Sequence, residues 1–203
     1  MGAFKVVERT LRFVRTVIVA RLLSPSDFGL FGLACLAMEI LQTFTETGMR
    51  TALIQRKEKT EGYLNTAWTI NLLRNILIFS LLFFGAPFIA KFFNNLSAVP
   101  LIKVVGIIMI IRGLTNIGTV YFIKELDFRK HFVLRTVGII VNVVVTLTLA
   151  FILRNAWALV WGYLAQSVTN CIASYILHPY RPKLQLELPK AKELLNFGKW
   201  IFG

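Results

Sequence analysis

The chain has 203 residues, of which 56% are hydrophobic and only 16% are charged. Soluble domains carry about 25% charged residues, so this composition indicates a protein with several membrane-spanning segments. The net charge of +13 fits the basic residues that gather in cytoplasmic loops of such proteins, and because the sequence contains no nucleic-acid-binding motif we predict no nucleic-acid partner.

The first predicted helix, residues 4–23, has two unlike faces. Charged side chains recur at steps of three or four residues, which places them on one side of a helix with apolar side chains opposite. The helix either lies on the membrane surface or spans the membrane with its charged stripe along an aqueous cavity, which the apolar run after Arg15 favours. In the second case, Arg9 and Arg12 near the inner end of the helix either line the cavity or reach back to the lipid headgroups, while Arg15 lies deeper. The stripe consists of Lys5, Glu8, Arg9, Arg12 and Arg15.

Five further apolar stretches follow, each about as long as a helix that crosses the hydrocarbon core, roughly 20 residues. The turn before the second stretch, residues 24–27 (SPSD), offers Ser26 or Asp27 as a helix cap. A polar loop is predicted at residues 46–65. The predicted fold is therefore an all-α membrane bundle of six spans, at residues 4–23, 28–45, 66–90, 101–123, 132–153 and 156–177.

Most of the 23 lysine and arginine residues fall in the loops on one side of this six-span arrangement. Cytoplasmic loops are the ones enriched in these residues, so we predict a multi-pass protein of the cytoplasmic membrane with its N-terminus inside. Residues 178–203 then form a basic cytoplasmic loop followed by the start of a seventh span.

Three charged residues lie deep in the predicted spans: Glu39 in the second, Arg74 in the third and Arg112 in the fourth. A charge at that depth faces a partner, water or a polar cavity. One interpretation pairs an arginine with Glu39. The other places surplus positive charge around a cavity that binds an anion, because guanidinium stays charged and donates in two directions. The candidate cavity residues are Arg12, Arg15, Arg74, Arg112 and Asn116.

Two of these candidates carry a second interpretation. Glu39 is either an ion-pair partner or a proton or cation site for coupled transport. Asn116, one turn after Arg112, either hydrogen-bonds a substrate or joins two helices. The sequence contains no catalytic, nucleotide-binding or metal-binding motif, so we predict that the protein is not an enzyme and needs no cofactor or metal.

Several segments resemble one family when they are read in order. They are residues 20–29 (ARLLSPSDFG), 51–57 (TALIQRK), 125–129 (ELDFR), 157–160 (WALV) and 180–182 (YRP). The set resembles the Wzx-like polysaccharide flippases of the multidrug/oligosaccharidyl-lipid/polysaccharide exporter superfamily. The resemblance covers nearly the whole chain from about residue 16 onward.

The resemblance implies translocation of undecaprenyl-pyrophosphate-linked oligosaccharide across the bacterial inner membrane for surface polysaccharide synthesis. Such proteins have two six-helix lobes around a central cavity. The chain is therefore expected to be the N-terminal half, inactive or incomplete without its C-terminal lobe. The expected partners are membrane lipid, the anionic lipid-linked oligosaccharide and that second lobe. The alternatives are a cation-coupled multidrug-type antiporter of the same superfamily and a non-transporting membrane scaffold or fragment.

Overall fold

The computed structural model describes residues 2–55 and 61–194 of the chain. Most of that part is helical, which confirms the predicted all-α class. The basic residues at 56–59 and the predicted seventh span beyond residue 194 lie outside the described residues. The helices are α1 (Gly2–Leu22), α2 (Pro25–Phe44), α3 (Met49–Gln55), α4 (Glu61–Phe92), α5 (Ala98–Leu114), α6 (Val120–Lys124), α7 (Phe128–Leu153) and α8 (Trp157–Leu177).

Within residues 2–55 and 61–194, three helices, α2, α4 and α7, are long and apolar enough to cross a membrane on their own. The pair α5 and α6 adds a fourth crossing if the two are taken together. Large apolar side chains such as Phe84, Phe88 and Ile176 are mostly exposed, as expected for helices that face lipid. The chain is a multi-pass membrane protein, and the arrangement with six spans stays a prediction.

The predicted span at residues 101–123 is not one continuous helix. Helix α5 ends at Leu114, a 3-10 turn follows at Ile117–Thr119, and α6 leaves at an angle of 73°. The break is stabilised by side chains that pair with the freed backbone groups. The Tyr175 hydroxyl donates to the Leu114 carbonyl at 2.7 Å, and the Asn116 amide donates to the Ser174 hydroxyl at 3.0 Å.

Two local predictions are also corrected. Ser24, and not Ser26 or Asp27, is the N-cap of α2: its hydroxyl accepts from the Asp27 amide at 3.3 Å while the Asp27 carboxylate accepts from the Ser24 amide at 3.1 Å. The predicted polar loop at 46–65 contains α3. Its apolar residues Met49 and Leu53 are four positions apart, share one face and are buried.

The helices pack as two groups that share α8. On one side α1 packs against α7 and α7 against α8; on the other, α5 packs against α8, α4 and α2. The first group encloses a small apolar cluster around Val19 and Leu159. The second encloses a larger one that includes Met38, Leu82 and Ile108. Because lipid is as apolar as these side chains, close packing rather than water exclusion holds them together.

Small residues let α7 and α8 approach closely. A Cβ atom placed on Gly138 would lie 2.0 Å from the Asn170 Oδ1 atom, and one placed on Gly162 would lie 1.9 Å from the Thr146 Oγ1 atom. Each glycine therefore makes room for a polar side chain of the facing helix, an arrangement typical of membrane helix pairs.

An extended segment, residues 178–187, leaves α8 and lies along the beginning of α4; we call it the strap. Its backbone amides at Lys183 and Gln185 donate to the Asn65 side-chain oxygen at 2.9 Å and to the Thr69 hydroxyl at 3.1 Å. At the start of the strap, the His178 ring stacks on Tyr121 of α6 with centroids 5.7 Å apart. The strap therefore links α8, the bend and α4.

Replacing Gly162 by alanine should destabilise the protein, because the added methyl group overlaps Thr146 and overpacking of this kind costs about 1–3 kcal/mol. The measurement is thermal unfolding of the purified protein in detergent. Gly32→Ala is the matched control, since a Cβ there meets nothing within 4 Å. Equal melting temperatures for the two variants would contradict the close α7–α8 contact.

Attachment of the strap should weaken as the pH falls below about 6.5. The His178 Nδ1 atom accepts from the Tyr180 amide at 3.1 Å, and a proton there abolishes the acceptor. Burial is the largest effect on the pKa of His178 and lowers it, with Lys130 and Arg181 also lowering it and Glu125 opposing them. The unfolded chain therefore takes up the proton first, so stability is full above the unfolded pKa and declines below it.

Hydrogen–deuterium exchange of amides 183–187, corrected for intrinsic rates, should accelerate between pH 7.5 and 5.5, a range that brackets the reference histidine pKa of about 6.5. His178→Gln lacks the titrating group and should show no such acceleration. An unchanged wild-type exchange rate would be evidence against the effect.

Candidate functional site

A polar cavity of about 610 Å³ lies beside the bend. It lies among the end of α2, the first half of α4, the α5–α6 bend, the beginning of α7 and the second half of α8. Its charged or titratable lining residues are Glu46, Arg74, Arg112, His131 and Arg135. Positive charge therefore exceeds negative charge in the lining.

Arg74 is anchored to the end of α2. Its guanidinium donates to the Gln42 carbonyl at 2.8 Å and to the Thr45 hydroxyl at 3.1 Å, and it lies 3.4 Å from the Glu46 carboxylate. Its side chain is only 15% exposed, against 43% for Glu46. An arginine of the cavity thus pairs with a carboxylate, but the acid is Glu46 from the segment after α2 and not Glu39.

Arg112 contacts a neutral partner. Its Nη2 atom donates to the Tyr163 hydroxyl of α8, and its guanidinium carbon lies 5.1 Å from the centre of the same ring. Among the described residues, no ion pair joins Arg112 to Glu39. The charge of Arg112 is thus stabilised by a hydroxyl and an aromatic face and is not neutralised.

Arg135 is a cavity residue that sequence reasoning assigned to the cytoplasmic surface. It lies on the second turn of α7 and is exposed. Within residues 2–55 and 61–194 its side chain has no hydrogen bond or ion pair. The signal that could have identified it is its spacing from His131, four residues earlier and on the same helix face, since both line the cavity.

Asn116 lines the cavity and also holds the bend. Its side chain accepts from the Gly118 amide at 2.9 Å and donates to the Tyr180 carbonyl at 2.6 Å, and the residue is fully buried. The structure therefore shows Asn116 joining elements, and substrate binding by Asn116 stays a prediction.

The remaining predicted site residues do not line this cavity. Arg15 donates through Nη1 to the Asn142 side chain of α7, and Arg12 is exposed one turn earlier on α1. Glu39 is exposed on α2. The structure thus brings together Arg74, Arg112 and Asn116 but not Arg12, Arg15 and Glu39, whose roles in binding or coupling stay predictions.

Uncharged polar side chains also line the cavity. They are amide and hydroxyl side chains from α4 and α8: Asn71, Asn75, Gln166, Ser167 and Asn170. In the described part of the chain, no cluster of three or more histidine, cysteine or acidic residues has the arrangement of a metal site. The cavity can therefore offer fixed positive charge and hydrogen-bonding groups to a ligand.

Comparison with known proteins identifies relatives over most of the chain. A family model described as "Polysaccharide biosynthesis protein" matches residues 18–203. Lipopolysaccharide biosynthesis protein WzxC of Escherichia coli is 26% identical over 193 residues, and succinoglycan biosynthesis transport protein ExoT of Rhizobium meliloti is 22% identical over 194. Teichuronic acid biosynthesis protein TuaB of Bacillus subtilis is 31% identical over 87 residues, or 43% of this chain and 18% of that protein.

The matches to WzxC and ExoT cover 94% and 95% of this chain, but 39% of the length of each relative. No solved structure matches the chain.

Asn142→Leu should destabilise the protein by about 1–3 kcal/mol, because it leaves the half-buried Arg15 guanidinium without its acceptor. The Arg15 Nε atom already has no partner. The double variant Arg15→Met/Asn142→Leu removes both polar groups and should recover much of the loss. The measurement is thermal unfolding in detergent, with Arg12→Gln as an exposed control. A double variant less stable than Asn142→Leu would contradict this account of the α1–α7 contact.

Proposed function

Since this chain belongs to the family of polysaccharide biosynthesis proteins, we propose that it forms one lobe of a flippase for a lipid-linked oligosaccharide. In this proposal the membrane is the bacterial inner membrane, and the N-terminus is cytoplasmic. The chain acts together with a second lobe, because alternating access needs one bundle to move against another. The names of WzxC and ExoT, which refer to lipopolysaccharide and succinoglycan biosynthesis, support this substrate class.

The observation that carries the proposal is the charge of the cavity beside the bend. Three arginines line it, against one carboxylate that already contacts Arg74. Arg112 has a neutral partner, and Arg135 has none among the described residues. Two uncompensated guanidinium groups in a membrane protein are costly unless water or an anion stabilises them. A phosphate-containing headgroup supplies charge and geometry that guanidinium groups match.

The proposed mechanism divides the substrate among three environments. Arg112 and Arg135 bind the pyrophosphate, with Arg74 held in place by its contacts to α2. The amide side chains of Asn71 and Gln166 face the sugar hydroxyl groups. The lipid tail stays in the bilayer, so that only the polar part of the substrate passes through the protein.

The residues that line the cavity support the antiporter alternative less well than they support the flippase. Cationic drugs are stabilised by acidic side chains, and the acidic residue in the lining, Glu46, lies 3.4 Å from Arg74. Glu39, the other candidate for cation coupling, does not line the cavity. The scaffold alternative leaves the uncompensated arginines without a role.

Arg112→Gln and Arg135→Gln in the full-length protein should each lower surface polysaccharide at least tenfold. Loss of one charge-assisted phosphate contact, at about 1.5–3 kcal/mol, corresponds to a factor of roughly 10 to 100 in affinity. The measurement is surface polysaccharide in cells that lack the native gene, with immunoblots to equalise protein levels. Arg129→Gln is the control, because Arg129 lies on α7 outside the cavity.

A binding measurement on the purified chain tests the same site independently of transport. Inorganic pyrophosphate should raise its melting temperature, because a ligand that binds only the folded state stabilises it. The shift should disappear in Arg112→Gln/Arg135→Gln and persist in Arg129→Gln. Wild-type polysaccharide levels in both single variants, or an equal shift in the double variant, would refute the phosphate role.

A further inference from the structure

Three exposed leucines, two on the strap and one at the residue after it, are not covered by anything in the described part of the chain. Leu184, Leu186 and Leu188 are 74%, 49% and 74% exposed. In the extended strap alternate side chains point the same way, so Leu184 and Leu186 share one side, and Leu188 begins the helical residues 188–194 that follow. A row of leucines facing water is unfavourable, and such a row marks a surface that contacts something apolar.

Hydrogen bonds from one backbone edge of the strap to α4 fix the direction of the leucine side chains. The amides of Lys183, Gln185 and Glu187 all donate to side-chain oxygens of α4, on Asn65, Thr69 and Thr66, at 2.9, 3.1 and 3.4 Å. The contacts occur at every second residue, as expected for an extended backbone with one edge docked on a helix. The leucine row is therefore held in place by α4.

Basic and aromatic residues around the strap are of the kinds that occur at the boundary between membrane and water. Arg181, Lys183 and Lys192 are exposed, while the nearby Glu187 carboxylate is already paired with Lys190 at 2.8 Å. Tyrosines lie at the same level: Arg181 is 5.7 Å from the centre of the Tyr175 ring, and Lys190 is 5.7 Å from that of Tyr63. Tyrosines and basic residues gather where a membrane meets water.

We propose that the strap is a membrane-surface anchor, in which Leu184, Leu186 and Leu188 insert at the headgroup level and Arg181, Lys183 and Lys192 bind anionic lipid. Apolar side chains flanked by basic residues are the pattern of interfacial segments. Because the strap is tied to α4 and, through Asn116, to the bend, the anchor fixes the depth of the cavity relative to the lipid surface.

Spin labels on the strap test this placement. Single cysteines at Leu184, Leu186 and Leu188 are introduced into the full chain with Cys35 and Cys171 replaced by alanine, and the labelled protein is reconstituted in phosphatidylcholine vesicles with phosphatidylglycerol. The expected result at all three leucine positions is high collision with oxygen and severalfold lower collision with a water-soluble nickel chelate than at the control position Glu125→Cys, an exposed acidic residue between α6 and α7.

Two results would overturn the proposal. Nickel collision as high as at Glu125→Cys would mean that the leucines face water, and low collision with both reagents would mean that another protein surface, such as a second lobe, covers them. The anionic-lipid contact is tested by omitting phosphatidylglycerol, which should raise nickel collision at Leu184→Cys. Lys183→Gln/Lys192→Gln should remove that dependence on lipid, and a persistent dependence would refute these lysines as the lipid contact.

Discussion

The bend after Leu114 is constrained by the need to pair every backbone polar group that leaves a helix inside an apolar bundle. Lipid offers no hydrogen bonds, so the protein itself supplies the partners. Tyr175 and Ser174 of α8 bind the Leu114 carbonyl and the Asn116 amide. The Asn116 side chain accepts from the Gly118 amide, and the Thr119 hydroxyl donates to the Asn116 carbonyl at 3.0 Å. The bend thus depends on polar side chains from two helices.

The same bend connects the cavity to the strap. Residues on both sides of it line the cavity, from Arg112 to Ile123, so the change in direction opens the space between α4 and α7. Asn116 also donates to the Tyr180 carbonyl. A Cβ atom on Gly118 would lie 2.5 Å from the His178 ring. The lack of a side chain at Gly118 therefore lets the strap pack against the bend. Irregular backbone beside a polar cavity is a recurring feature of transporters with broken helices.

The sequence allowed correct predictions where one property, hydrophobicity or isolated charge, dominated a segment. Long apolar runs predicted the all-α membrane class, and the rarity of intramembrane charge drew attention to Arg74 and Arg112, which line one cavity. The bend was not predictable, because residues 104–123 read as one mostly apolar span without proline, and the Asn116 amide and the Leu114 carbonyl pair with side chains 58 and 61 residues later in the chain. Arg135 was missed because its position near a predicted span end fits a surface residue equally well.

The three cavity arginines differ in how far the protein itself compensates them, and this difference bears on function. Arg74 contacts a carboxylate, a hydroxyl and a carbonyl, as a structural arginine does. Among the described residues, Arg112 contacts the Tyr163 hydroxyl and ring, and Arg135 has no partner. If the arginines served stability alone, an acid beside each would be the less costly arrangement. Charge left uncompensated beside a cavity is charge available to a ligand, and the ligand it favours is an anion.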